Sequence, residues 1–205
     1  MENDTPNKIK ISKEIIATLP IETFPGKIVV TDNAVLQLNN ERIIGFDTET
    51  RPTFKKGKSN HVALIQLSTH DTCYLFRINR IGFTPAIKNL LENESLLKVG
   101  ISLKDDFCML SRLNGGQFIP RNFIELQKFV KKYNIEDQSL QKIYGIVIGK
   151  KISKGQRLSN WEADHLTENQ QLYAATDAWS CIKIYEVLKS GKFKSPIYKI
   201  QPSSL

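Results

Sequence analysis

Two apolar runs separated by only three residues constrain the fold of this 205-residue chain most strongly. Residues 62–68 and 72–77 both have the composition of strands, and so short a gap predicts a hairpin. A third strand-like run, 42–48, precedes them, and helical and strand-like segments then alternate up to a long helix over 167–189. An antiparallel meander followed by such alternation predicts an α/β fold. Its mixed central sheet would combine the meander with parallel strands and be flanked by α-helices.

The chain is long enough for one well-buried domain, and we predict a single one. Residues 26–193 contain the segments that would form the sheet and its flanking helices. Residues 1–25 are expected to form a polar tail and a short helix, and residues 194–205 a second tail. Because only this short, lysine-bearing tail follows the last helix, we expect a stand-alone domain.

The charge of the chain indicates an anionic partner. Its formal net charge is +8 at pH 7, and its pI is about 9.3. Such a surface favours a polyanion, with nucleic acid as the first candidate, although a basic surface can also serve solubility alone. No apolar run approaches the roughly 18 residues that a membrane span needs, so we predict no membrane association.

The cysteines indicate a compartment. Cys73, Cys108 and Cys181 form an odd set without metal-like spacing, and each has apolar neighbours. We expect all three to be buried free thiols in a reducing compartment, which favours a cytoplasmic location.

Two carboxylates stand at the end of the strand-like run 42–48. Asp47 and Glu49 are two positions apart, so in a strand both side chains project from one face. Their charges repel unless a cation lies between them, and Mg²⁺ and Mn²⁺ prefer carboxylate oxygens. The alternative is a polar strand end that runs into solvent.

The last predicted helix contains a carboxylate where an apolar side chain is expected. At about 100° per residue, Asp177 lies near the centre of the apolar stripe, and Tyr173 stands one turn before it. A buried ionised carboxylate costs several kcal/mol unless it is paired or bound to a metal. It could pair with an arginine or cap a loop, but together with Asp47 and Glu49 it favours metal ligation.

A second helix offers two neighbouring acids. Asp106 shares the apolar face of the helix with Leu110 and Leu113, whereas Asp105 shares its side with Arg112. We therefore predict Asp106 as a ligand. Asp105 is expected to face solvent or the start of the helix, where a negative charge is favourable.

Three segments, taken in order, resemble the motifs of a known family. They are Phe46-Asp47-Thr48-Glu49-Thr50, Val99-Gly100 followed by Asp106-x-x-x-Leu110, and Tyr173-Ala174-Ala175-Thr176-Asp177-Ala178. They resemble the three exonuclease motifs of the DEDD superfamily. The tyrosine before the last aspartate is typical of its DEDDy branch, to which ribonuclease D and the Werner-type exonuclease domain belong. The similarity covers about residues 26–190. Two further segments resemble the lead into the third motif, namely Ser159-Asn160-Trp161 and Leu166-Thr167-x-x-Gln170.

This resemblance implies a ribonuclease H-like fold and a metal-dependent 3′→5′ exonuclease that releases nucleoside 5′-monophosphates. It assigns one Mg²⁺ or Mn²⁺ ion to Asp47, Glu49 and Asp177, and a second ion to Asp47 with Asp106. Two such ions about 3.5–4 Å apart can activate the nucleophile and stabilise the leaving 3′-oxygen. Tyr173 would orient the attacking water, because a phenol with a pKa near 10 is a poor general base.

Polar residues around the motifs are candidates for substrate binding. They are Thr48, Arg51, Lys55, Lys56, Lys58, Lys150, Lys151, Lys154, Arg157 and Trp161. The cations would hold the phosphates of the substrate strand, and Trp161 would stack a base. The alternatives are a solvated loop for the lysines and core packing for Trp161.

The predicted substrate is a single-stranded or recessed 3′ end of nucleic acid. The Werner-like segment Ser159-Asn160-Trp161 slightly favours DNA over RNA. An RNA-trimming nuclease of the ribonuclease D type stays open, because recognition of the 2′-hydroxyl depends on pocket geometry. A catalytically silent nucleic-acid-binding module is the hypothesis from another class. The costly acidic cluster argues against it, because an inactive scaffold has no need of one.

Overall fold

The computed structural model describes residues 8–31, 38–52 and 61–194. In chain order these residues form helix α1 (Lys13–Thr18), strands β1 (Lys27–Val30), β2 (Ile43–Thr50), β3 (Val62–Ser68) and β4 (Thr72–Phe76), helices α2 (Ile78–Ile81) and α3 (Pro85–Glu92), strand β5 (Leu97–Gly100), helix α4 (Leu103–Leu113), strand β6 (Phe123–Glu125), helix α5 (Leu126–Phe129), a 3₁₀ helix (Val130–Tyr133), and helices α6 (Leu140–Ile148) and α7 (Glu168–Lys189). Among them, no helix is long and apolar enough to cross a membrane.

The six strands form one mixed sheet in the order β1-β4-β3-β2-β5-β6. The predicted hairpin is present, since β3 and β4 are antiparallel, and β2 is antiparallel to β3. The remaining pairs β1–β4, β2–β5 and β5–β6 are parallel. The predicted fold class, an antiparallel meander extended by parallel strands, is therefore confirmed.

Helix α7 lies against one face of the sheet and α4 against the other. Gly45 of β2 permits the close approach of α7, because a Cβ atom there would come within 1.9 Å of the carbonyl oxygen of Ala178. On the opposite face Phe46 packs with Leu103 and Leu110 of α4. Neighbouring residues of β2 thus face two different helices, as the period of a strand requires.

Strand β2 extends beyond its parallel neighbour. Strand β5 pairs with Ile43, Ile44 and Gly45 only, whereas β3 follows β2 as far as Thr50. The carboxyl end of β2 therefore has a described strand on one side only. Side chains from both flanking helices can reach this end of the sheet.

The structure corrects two details of the sequence-based picture. Helix α2 was not predicted; it is a single turn that follows directly on the buried strand β4. All three cysteines are free, but only Cys73 and Cys181 are buried. The prediction of burial was wrong for Cys108, because its apolar neighbours Phe107 and Leu110 turn toward the sheet while Cys108 faces outward on α4.

Candidate active site

Three carboxylates meet at the carboxyl end of β2. Asp47 and Glu49 project from β2 toward α7, from which Asp177 approaches them. One carboxylate oxygen from each of the three lies within 4.8 Å of those of the other two. Asp177 is only 8% exposed. The alternative of a polar strand end running into solvent does not describe this arrangement.

A network at its N-terminus fixes helix α7, which supplies Asp177. Thr167 and Gln170 form a capping box in which the Thr167 hydroxyl accepts from the Gln170 backbone N–H at 3.2 Å. The Gln170 side chain also donates to the carbonyl of Asn160 at 3.2 Å. The segment Leu166-Thr167-x-x-Gln170 therefore has a structural function, because it aligns the helix that carries the third motif.

Asp106 approaches the same strand end from the opposite face of the sheet. It is 9% exposed, whereas Asp105 is exposed, as the helical rotation predicts. The Thr48 hydroxyl donates to Asp106 Oδ1 at 2.5 Å. Thr48 faces α4 because it alternates with Asp47 and Glu49 along β2. Asp106 thus lies beside the three clustered carboxylates but is not one of them.

The start of α4 is held by a residue that the sequence analysis missed. The Glu125 carboxylate accepts hydrogen bonds from the backbone N–H groups of Ser102 at 3.1 Å and Leu103 at 2.8 Å. It caps the helix from strand β6, 22 residues away along the chain for the Leu103 bond. Sequence rules for capping consider local residues, so only the pairing of β5 with β6 could indicate this contact.

Burial raises the pKa of all four acids, because a low-dielectric environment disfavours the charged form. For Asp47 the charges of the other three acids raise the pKa further, to well above its ordinary value. Burial and the charges of Asp177 and Asp106 raise the pKa of Glu49 to about 9. Burial is the largest cause that raises the pKa of Asp106 and of Asp177 to about 7. Without a cation, the cluster therefore holds protons at neutral pH.

Tyr173 lies beside the cluster as a neutral phenol. Burial, then the charges of Asp177 and Glu49, raise its pKa above the ordinary value. Its hydroxyl donates to the Asp177 carboxylate and so lowers the pKa of that acid, against the effect of burial. The Tyr173 ring packs 6.0 Å, centroid to centroid, from that of Trp161.

Trp161 supports the site from within the core. It is fully buried, so its ring offers no face to a nucleic-acid base. The base-stacking interpretation is therefore wrong in this structure, and the alternative of core packing describes Trp161. Its indole fixes the loop before α7 against Tyr173.

Several of the predicted substrate-binding cations already have a partner within the described residues. Lys150 is paired with Glu22 at 2.9 Å, and Lys151 donates to the carbonyl of Ala17 at 2.5 Å. Arg51 is exposed and forms an ion pair with Glu162 at 3.3 Å. Lys55, Lys56 and Lys58 lie outside the described residues.

Two of the predicted cations remain exposed, and one of them is close to the acids. Lys154 and Arg157 are exposed on the loop that precedes α7. Lys154 is close enough to Asp177 for its charge to lower the pKa of that acid. Lys154 is thus an exposed cation beside the acids, and Arg157 lies three residues further along the same loop.

Comparison with known proteins agrees with this geometry. A model of the 3′-5′ exonuclease family matches residues 29–191, and the chain therefore belongs to that family. It is 33% identical to the mouse (Mus musculus) bifunctional 3′-5′ exonuclease/ATP-dependent helicase WRN, over 90% of this chain and 14% of that protein. It is 26% identical to ribonuclease D of Haemophilus influenzae, over 90% of this chain and 47% of that protein. The chain thus spans less than half the length of either relative.

The fold has close counterparts among solved structures. The EXO domain of Aedes aegypti Nibbler aligns with a TM-score of 0.73 at 23% identity, over 82% of this chain and 91% of that one. At this identity the likeness establishes the fold. The ribonuclease H-like architecture that the motifs implied is therefore confirmed.

Proposed function

We propose that this chain is a metal-dependent exonuclease that removes nucleotides from the 3′ end of nucleic acid and releases nucleoside 5′-monophosphates. The observation that carries the proposal is the meeting of Asp47, Glu49 and Asp177 within 4.8 Å. The catalytic unit would comprise residues 26–193, close to the 29–191 match with the exonuclease family.

The donor set fits a hard divalent cation, because all ligand atoms are carboxylate oxygens. Asp47, Glu49 and Asp177 would hold one Mg²⁺ or Mn²⁺ ion, and Asp47 with Asp106 a second. When bound, such ions supply charge stabilisation for the phosphodiester and lower the pKa of a coordinated water. Asp106 lies outside the cluster of three but close enough to Asp47 for its charge to raise the pKa of that acid, which supports a second ion held by Asp47 and Asp106.

The side chains around the acids have distinct tasks in this proposal. Tyr173 stays protonated, so its hydroxyl can orient a water but cannot act as a base. Thr48 fixes the Asp106 carboxylate through the 2.5 Å hydrogen bond and is thereby a positioning residue. Lys154 and Arg157 would meet the phosphates of the substrate strand.

DNA is the substrate we slightly favour, because the segment Ser159-Asn160-Trp161 resembles the Werner-type exonuclease domain. RNA is a second candidate, because the similarity to a ribonuclease D extends over 90% of the chain. The free thiols support a reducing, cytoplasmic location.

Degradation of end-labelled substrates tests the proposal. Purified protein is incubated with 5′-labelled single-stranded DNA, recessed duplex DNA and RNA, each with Mg²⁺, Mn²⁺ or EDTA. We expect a ladder that shortens from the 3′ end with metal and is absent with EDTA. The Asp47→Ala variant should produce no ladder, because Asp47 would contact both ions. Intact substrates under every metal condition would exclude an exonuclease and leave the silent binding module.

A further inference from the structure

A basic cleft opens beside the loop that carries Lys154 and Arg157. Its volume is about 770 Å³, and its walls are helix α1, the start of α6 and the segment 151–158. Five of its lining residues are cations, and none is an acid: Lys13, Lys142, Lys151, Lys154 and Arg157. Lys142 is neutralised by Asp137 at 2.7 Å, which leaves an excess of positive charge along the cleft.

The cleft also contains exposed apolar side chains. Ile21 is 65% exposed and Leu158 is 64% exposed, and both line the cleft. Because the two side chains line one cleft rather than standing singly on the surface, they offer apolar contacts to a ligand held by the surrounding cations. A ligand that combines negative charge with apolar surface therefore fits this cleft.

The wall formed by α1 is rigidly attached to the rest of the domain. The backbone of Lys151 donates to the carbonyl of Pro20 at 2.9 Å, and the N–H of Glu22 donates to the carbonyl of Lys151 at 2.8 Å. Glu22 also forms ion pairs with Lys150 at 2.9 Å and Lys183 at 2.8 Å. The cleft is thus preformed, and its α1 wall precedes the 29–191 match with the exonuclease family.

We propose that this cleft holds the single-stranded part of the nucleic acid upstream of the 3′ nucleotide, an inference that rests on the proposed exonuclease function. A single strand exposes phosphates and base faces together, whereas a duplex exposes mainly phosphates to such a surface. Lys154 connects the cleft to the acids, because it lines the cleft and its charge acts on Asp177. Helix α1 is then part of the substrate site.

Fluorescence anisotropy in EDTA tests the cleft independently of hydrolysis. The probe is a labelled DNA single strand of about twelve nucleotides. Lys13→Ala should weaken binding and reduce the slope of log K against log salt by about 1, as loss of one phosphate contact does. Leu158→Ser should weaken binding to the single strand without changing that slope, because it removes an apolar contact. A duplex of the same sequence should compete less well than the single strand.

Matched variants outside the cleft control for charge and hydrophobicity. Lys189→Ala removes an exposed lysine at the far end of α7, and Ile119→Ser removes an apolar side chain that is 57% exposed. If the cleft variants bind like these controls, the cleft is not the strand site. That result is separate from failure of the exonuclease proposal, which would appear as intact substrate with wild-type protein and metal.

Gln66 is a buried polar residue of β3 that lies next to the acidic cluster. It is fully buried on β3, and neither its Oε1 nor its Nε2 atom has a hydrogen-bond partner among the described residues. It is paired directly with Asp47 in the β2–β3 register. Directly paired residues of antiparallel strands point to one face, with Cβ atoms about 5 Å apart. A buried polar group without a hydrogen-bond partner destabilises a fold, so stability alone does not favour glutamine here.

We infer that Gln66 is a positioning residue whose amide donates to the Asp47 carboxylate when that carboxylate binds metal. Such a bond orients the ligand oxygens, and loss of comparable bonds typically costs 10–100-fold in metal affinity. This inference also rests on the proposed metal-dependent function.

Stability and metal affinity, measured separately, test the role of Gln66. In Gln66→Leu we expect an unchanged or raised melting temperature in EDTA, together with a Kd for Mn²⁺ raised about tenfold. Ser68→Ala is the control, because Ser68 is buried on the same strand but paired with Gly45. An unchanged Mn²⁺ affinity, or a destabilised Gln66→Leu protein, would overturn the inference. Absence of Mn²⁺ binding to the wild type would instead contradict the proposed function.

Discussion

At the scale of single residues, the acids of this site are held where charge is unfavourable. Asp106 and Asp177 are each less than a tenth exposed, and burial raises the pKa of both to about 7. A fold that only needed stability would place apolar side chains at these positions. Their carboxylates instead converge on one strand end from two helices, which is the arrangement a cation site requires.

Asp105 and Asp106 are adjacent acids with different predicted roles. Replacing each in turn with asparagine, which removes the negative charge, distinguishes these roles. We expect Asp106→Asn to lower the exonuclease rate at least about a hundredfold, because it removes the negative charge of a proposed metal ligand, while the remaining amide oxygen can still accept the Thr48 hydrogen bond. Asp105→Asn, its matched control, should retain most of the activity because Asp105 is exposed. Steady-state kinetics on a labelled single strand measure both. Equal losses in the two variants would contradict the separate roles assigned to them.

At the scale of secondary-structure elements, Glu22 joins the N-terminal segment to α6 and α7. It accepts a hydrogen bond from Tyr144 and pairs with Lys150 and Lys183. Burial alone would raise the pKa of Glu22, but the hydrogen bonds from Lys183, Tyr144 and Lys150 outweigh it and lower the pKa to about 2. Because this pKa is below the ordinary value of 4.5, the network stabilises the fold above about pH 4.5.

Glu22→Gln should therefore reduce the free energy of unfolding by about 2 kcal/mol at pH 7. The difference from wild type should shrink as the pH falls from about 4.5 toward 2, where Glu22 itself becomes protonated. Urea unfolding of both proteins across this range provides the measurement. Glu136→Gln, which removes the partner of the exposed lysines Lys8 and Lys10, should have a much smaller effect. A difference independent of pH would show that Glu22 acts through packing alone.

At the scale of the whole molecule, the acidic cluster links stability to pH and to metal. The pKa values of the four acids are raised in the folded protein above those of the unfolded chain. A raised pKa contributes stability that is fully present below the unfolded value and is lost as the pH rises through the folded value. For these acids that window extends from about pH 4 to about pH 9.

In EDTA we thus expect the contribution of the cluster to the free energy of unfolding to fall between about pH 4 and about pH 9. Mg²⁺ at about 100 times its Kd should restore about 2.7 kcal/mol at the upper end, because it binds the folded state only. Denaturant unfolding of wild type and Asp47→Ala at several pH values measures both effects. The variant should show a weaker pH dependence and little response to Mg²⁺. Equal pH and Mg²⁺ responses in both proteins would exclude the cluster as their source.

The sequence by itself determined the fold class and most of the candidate site. Local periodicity identified the hairpin, the long last helix and the burial of Asp106 against the exposure of Asp105, because each depends on neighbouring residues alone. The order of the three motifs also indicated the family to which the chain belongs.

Only the tertiary structure decided the features that join distant segments. The capping of α4 by Glu125, the pairing of Gln66 with Asp47 and the cleft between α1 and residues 151–158 all depend on which elements pack together. The burial of Trp161 was decided in the same way. Sequence patterns record the face on which a side chain lies, but contacts across the sheet are set by strand order and helix packing.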